Sequence, residues 1–238
     1  MKKIPVILVV SMLASASAYA SEWGYDHGLH PSQWGQISQT CGNGKNQSPI
    51  DVTHVINTNL KALDLHYSGQ VTKLSNNGHT LQATVTGNNV LMIDGDPYTL
   101  KQFHFHTPSE NRIDGKQFPL EAHFVHVDKD GHIAVLAVMF EQGEANTSLA
   151  KLIATVPDKG ETVALKESFN ISDLVPSLKQ YYHFNGSLTT PPCTEGVSWF
   201  LLKQPSTLSK EQDDLLIKAM GHNSRPVQKN NARIIIGS

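Results

Sequence analysis

Two short stretches carry residues that could do chemistry: Gln102-Phe103-His104-Phe105-His106 and Glu121-Ala122-His123-Phe124-Val125-His126. Both read as β-strands, and side chains on a strand alternate between faces. His104 and His106 therefore share one face, while Phe103 and Phe105 share the other. A His-x-His pair on a strand offers two imidazoles to one metal ion, and His123 on a neighbouring strand can offer a third. Three neutral nitrogens with one position left open is the pattern of a catalytic zinc site; a structural site usually closes with a fourth protein ligand, often Cys. Taken alone, His-x-His is more often an ordinary polar strand face than a ligand set. The surroundings favour metal. Gln102 stands two residues before His104 and Glu121 two residues before His123, each on its histidine's own face. Ligating histidines commonly give their second N–H to such a carboxylate or carbonyl oxygen.

These strands need a body to hold them. From about residue 61 onward, short β-rich runs alternate with turn signals. Thr80–Val85 precedes Gly87-Asn88-Asn89, and Val90–Ile93 precedes Asp94-Gly95, a strong hairpin turn. Tyr98–His106 and Leu120–Val127 are the two metal strands. His132–Phe140 is a near-continuous apolar run that suits a central buried strand. Val197–Lys203 and Ala232–Ile236 read as two more. Helices are few. One is expected over 146–156, stopping at Pro157; a second follows the capping box of Ser209 and Gln212 and closes at Gly221. Residues 21–49 are rich in Gly, Trp, Gln and Asn and read as an ordered irregular wrap, pinned to the body by Trp23 and Trp34. The fold class expected is mainly β, with a few peripheral helices.

The start of the chain reads as an export signal. Lys2-Lys3 is followed by a short apolar run and by Ala18-Tyr19-Ala20, a small-residue cleavage pattern. The alternative is a membrane anchor, for which the run is short. Residues 1–20 are thus expected to be removed, leaving 21–238 as a single domain, periplasmic if the host is Gram-negative. That domain would carry 17 basic and 21 acidic residues, a net charge of −4. There is no basic patch for nucleic acid, no charge run and no low-complexity segment. Exported chains with an even cysteine count usually pair them, so Cys41 and Cys193 are expected to form a disulfide. Their wide separation argues against a shared metal.

In these motifs the chain resembles the α-class carbonic anhydrases. The resemblance is carried by Gln47-Ser48-Pro49-Ile50, Asn77-Gly78-His79, Gln102–His106, Glu110, Glu121-Ala122-His123, Gly186-Ser187-Leu188-Thr189-Thr190-Pro191-Pro192 and Arg225-Pro226. They run in family order over nearly the whole mature chain. The resemblance implies a large, twisted, mostly antiparallel sheet with a conical zinc site at its centre. It implies one zinc per chain, and zinc-hydroxide attack on carbon dioxide to give bicarbonate and a proton. It assigns Thr189 to orienting the nucleophile, with its hydroxyl proton given to Glu110, and His79 to carrying the proton out to buffer. It places Val125, Val135, Leu188, Val197 and Trp199, with Thr189 and Thr190, around the substrate. Asn223 would offer a backbone carbonyl to His106. Without the resemblance, the apolar residues would read as plain core, Glu110 as a surface acid and His79 as a solvent-facing residue after a turn.

Thr107-Pro108 and Asn111 depart from the familiar animal pattern, which places rim shape and inhibitor preference in question. His27, His30, His54, His66, His126, His132, His183 and His222 are read as surface or structural. A cupin would also give His-x-His-x₃-Glu, but it needs glycine where Tyr98 stands. A non-catalytic relative would lack a ligand, and all three are present. A zinc protease would need a His-Glu-x-x-His helix, which is absent, although a side esterase activity fits the same site. Whether the chain pairs with a second copy is not legible in the sequence.

Overall fold

The structure, a computed structural model, describes residues 23–238. The expected signal segment lies outside the described residues. Ten strands run along the main path of one sheet: β1 Ile56–Asn57, β2 Gln70–Asn76, β3 Leu81–Val85, β4 Asp96–His106, β5 Leu120–Val127, β6 Ile133–Gln142, β7 Thr162–Asn170, β8 Tyr181–Ser187, β9 Glu195–Leu202 and β10 Ile236–Gly237. Their order is β7-β2-β3-β4-β5-β6-β9-β8-β10-β1. Three short strands pair off this path and bring the sheet to 13. Most pairings are antiparallel, but β6 meets β9 in parallel, as β10 meets β1.

Phe103 and Phe105 of β4 are fully buried with Phe124, Leu136 and Phe140 in the larger apolar cluster, behind the sheet. Burying that face fixes strand register, because a slip of one residue would turn every side chain over. The result is a set of aligned rows on the other face. One row reads Gln102, Val125, Val135, Trp199 across β4, β5, β6 and β9. The next reads His104, His123, Ala137, Leu201, and a third begins with His106 and Glu121.

The helices are short and peripheral: α1 Gln39–Asn43, α2 Thr147–Leu152 and α3 Lys210–Met220. Asn146 caps α2 through its side chain, and Ser209 with Gln212 forms the expected capping box on α3. The expectation of an irregular wrap is corrected: it carries a 3-10 helix, Pro31–Gln36, and α1. Trp34 is fully buried and packs with Trp23, Tyr25, Leu29 and the disulfide Cys41–Cys193. The expected strand over 232–236 is corrected: only Ile236–Gly237 pairs, because Arg233 N–H turns back to Asn230 O and its guanidinium binds the carbonyls of Gln47, Asn185 and Lys229.

Candidate metal centre

His104, His106 and His123 converge as their register requires, with one nitrogen from each within 4.8 Å of the others. Which nitrogen faces inward follows from the partner of the other. His104 Nδ1 lies 2.8 Å from Gln102 Oε1, and His106 Nδ1 lies 2.8 Å from the backbone oxygen of Asn223. Those acceptors make both Nδ1 atoms donors and leave both Nε2 atoms free to bind metal. His123 is turned the other way: its Nε2 stands 2.9 Å from Glu121 Oε1, leaving Nδ1 inward. Burial first, and then the neighbouring imidazoles, hold His104 well below the usual histidine range. Burial does the same to His106, against a partial offset from the hydrogen bond to Asn223 and from Glu121. Imidazoles kept neutral in this way are ready to act as ligands. His106 Nε2 is buried without a hydrogen-bond partner, which fits a position that faces a metal ion.

Glu121 is fully buried. Burial alone would raise its pKa. The facing His123 and hydrogen bonds from His123 and from Asn111, through both side chain and backbone, outweigh burial and hold it low. Its Oε2 accepts the backbone N–H groups of Glu110 and Asn111, and its Oε1 accepts Asn111 Nδ2. Asn111 also accepts Ile50 N–H. Thr107 and Asn111, the two departures from the animal pattern, are both fully buried: Thr107 Oγ1 donates to Gly221 O, and Asn111 Nδ2 donates to Glu121.

Glu110 sits beneath the histidines, with Oε2 3.4 Å from His106 Nε2 and 3.9 Å from His123 Nδ1. Its Oε1 accepts Arg225 N–H. Burial pushes its pKa up to about 7, against lowering by His123, Arg225 N–H and the Thr189 hydroxyl.

Residues 29–238 match the family model for eukaryotic-type carbonic anhydrase. The chain is 45% identical over 242 residues to a carbonic anhydrase of Pectobacterium carotovorum, covering 98% of both. It is 46% identical over 237 residues to one from Klebsiella pneumoniae, covering 97% of this chain and 96% of that one. Among solved structures, Photobacterium profundum α-carbonic anhydrase superposes with a TM-score of 0.88 at 53% identity, covering 90% of this chain and all of that one. The chain belongs to the α-carbonic anhydrase family. It is an enzyme of that family, and the family's name implies hydration of carbon dioxide.

The other residues expected at the site come from separate segments of the chain. The wall beside the histidines comes from the smaller apolar cluster, which holds Val125, Val135, Leu188, Val197 and Trp199 together. Trp199 stands edge-on to His123, with ring centroids 4.9 Å apart. The loop bearing Thr189 and Thr190 follows β8. Thr189 is buried beside Glu110 and Thr190 is half-buried. The loop is closed by Leu188 N–H to Thr194 O and held from outside by the wrap through Cys41–Cys193, Ser38 Oγ to Pro192 O and Gln47 Nε2 to Cys193 O. Gly186 starts this approach, and an added Cβ there would collide with Ser48 Oγ and the Trp199 ring.

His79 stands apart from the three ligands, on a turn. Asn77 Oδ1 accepts the N–H groups of His79 and Thr80, and Gly78 takes φ +85°, a conformation that favours glycine. The His79 ring is stacked on Trp23 of the wrap, with centroids 3.8 Å apart and planes 11° apart. The sequence reading gave Trp23 only an anchoring role and missed this contact. It also missed Arg225 as the residue that holds Glu110 and ties Gln47, Ser48 and Cys41 together. The Arg225-Pro226 motif was the available signal. No helix among the described residues is long and apolar enough to cross a membrane.

Proposed function

We propose that the chain catalyses the reversible hydration of carbon dioxide to bicarbonate and a proton, with one zinc ion held by His104, His106 and His123. The observation that carries this is the ligand set: three convergent imidazoles, each with its second nitrogen facing an acceptor. Zinc held by these three neutral imidazoles would acidify a water and so supply a nucleophile near neutral pH, carbonic anhydrase being the reference case for that chemistry.

The chain's own residues do the rest. Thr189 has one hydroxyl proton. Given to the Glu110 carboxylate, that proton leaves Thr189 able only to accept from the nucleophile, which fixes the direction of the nucleophile's lone pair. Carbon dioxide is apolar, and Val125, Val135, Leu188, Val197 and Trp199 offer it an apolar surface, with Thr190 at the edge. Gln102, Glu121 and Asn223 orient the ligand rings. His79 carries the proton to buffer, a task suited to an imidazole, which can take up a proton on one ring nitrogen and release one from the other.

Export, with removal of residues 1–20 and a periplasmic location in a Gram-negative host, is part of this reading. It is supported by the Ala18-Tyr19-Ala20 pattern and by the Cys41–Cys193 disulfide. Zinc content together with a stopped-flow carbon dioxide hydration assay tests the proposal. Full activity after exhaustive removal of metal would overturn it.

A further inference from the structure

Asn223 lies just after α3 and is fully buried. Its backbone and its side chain both bond to Thr107, and each also serves partners of its own. The backbone oxygen meets His106 Nδ1 at 2.8 Å, and the backbone N–H donates to Thr107 O at 3.0 Å. In the side chain, Oδ1 accepts Thr107 N–H at 2.7 Å, while Nδ2 donates to two carbonyls, those of Phe105 and His79, each at 3.0 Å. An amide has two N–H donors, so both are committed.

The His79 carbonyl needs such a partner. The described register of β3 with β4 pairs Ala83 with Phe103 and Gln82 with His104. Beyond it, the next chain of contacts is made by side chains: Thr80 Oγ1 to Phe105 O at 2.6 Å, then Asn223 to His79 O. The turn that carries His79 is thus fastened to the end of the ligand strand through the carboxamide of a residue from the far end of the chain. The same residue's backbone orients a ligand ring.

We propose that the Asn223 side chain is a positioning group for proton exit: it fixes the His79 turn against the strand of His104 and His106, so that the shuttle ring is held in place between the metal and solvent. This rests on the proposed shuttle role of His79. The carboxamide touches neither substrate nor metal; it acts through His79.

A purely structural buried Asn would cost stability when truncated and lower all kinetic parameters together. A positioning role separates them. In Asn223→Ala, kcat in weak buffer is expected to fall roughly 5-fold further than kcat/KM, a small part of the general acid–base range. Imidazole buffer should restore that difference. The excess loss should vanish in the Asn223→Ala/His79→Ala double variant, because the two act on one step. Histidine NMR of the zinc-free protein supplies a readout besides activity: the His79 ring should lose the ring-current shift from Trp23. If Asn223→Ala does not fold, Asn223→Ser is measured in the same way.

A parallel fall in kcat and kcat/KM, or an undiminished Asn223 effect in the His79→Ala background, would overturn the inference. If His79→Ala alone leaves kcat unchanged, the shuttle reading itself fails and the inference falls with it. A kcat loss in His79→Ala with none in Asn223→Ala overturns the inference and leaves the shuttle reading standing.

Discussion

His123 Nε2 stands 2.9 Å from Glu121 Oε1, on the same strand face two residues away, and the Glu121 carboxylate is completely buried. A buried carboxylate of low pKa facing one imidazole nitrogen sets that ring's tautomer and leaves Nδ1 for metal. Glu121→Gln keeps the size and removes the charge. Zinc affinity, measured by competition with a chelator, is expected to fall about 10- to 100-fold. An unchanged affinity would remove Glu121 from the metal site's support.

Removing a ligand goes further. His123→Ala is expected to lose both the zinc, about one per chain in the parent protein, and hydration activity. Metal analysis of the purified variant alongside the hydration assay checks both. A variant that keeps stoichiometric zinc would point to a different ligand set.

His79→Ala should divide the kinetic constants. The ring stacks on Trp23 and is not one of the three converging imidazoles, so attack on carbon dioxide does not use it. Turnover should drop by roughly 10- to 100-fold while kcat/KM stays nearly constant, with added imidazole restoring much of the loss. Equal falls in both constants would place His79 at the chemical step instead.

His126 makes a pH prediction. It lies on the β5 face opposite the metal, with Nε2 2.6 Å from the Tyr67 hydroxyl. Burial pushes its pKa down to about 4. Between about pH 4 and the unfolded-state value near 6.5, the unfolded chain binds a proton that the native state refuses. Stability therefore rises with pH across that window and is lost as pH falls through it. The full contribution is about 3 kcal/mol. The stability difference between the parent protein and His126→Leu, from urea melts, should shift toward the variant by that order between pH 6.5 and 4. A pH-independent difference would show that His126 does not titrate in this way.

The disulfide closes a sequence separation of 152 residues. Cys41→Ser/Cys193→Ser is expected to lose about 2–5 kcal/mol of stability, as native bridges in exported domains do. Equilibrium denaturation of reduced and oxidised protein measures it. Equal midpoints would mean that the wrap holds without the bond.

The ligand strands were legible because the Phe/His alternation and burial of one face leave a single register. Glu121 and Gln102 followed from the same period of two. The strand β7 was missed because most of its side chains are exposed and the polar run Lys166-Glu167-Ser168 interrupts the alternation of Val163 and Leu165. Asn111 and Asn223 could not be read from their own segments. A buried asparagine and a loop asparagine look alike until the fold brings distant carbonyls and carboxylates to them. Trp23 shows the same limit, since only tertiary approach sets it against His79.

The topology also implies an order of assembly. β4 and β5 are adjacent and antiparallel in the sheet and separated by a short stretch of chain, so the three ligands meet through a local pairing. Thr189 and Asn223 reach the site only when segments near the carboxyl end arrive. Short-range pairings form before long-range ones. A refolding chain should therefore be able to capture metal while still inert toward substrate. Stopped-flow refolding with a zinc-responsive dye and a parallel activity assay would reveal the interval, and simultaneous appearance of the two signals would rule it out.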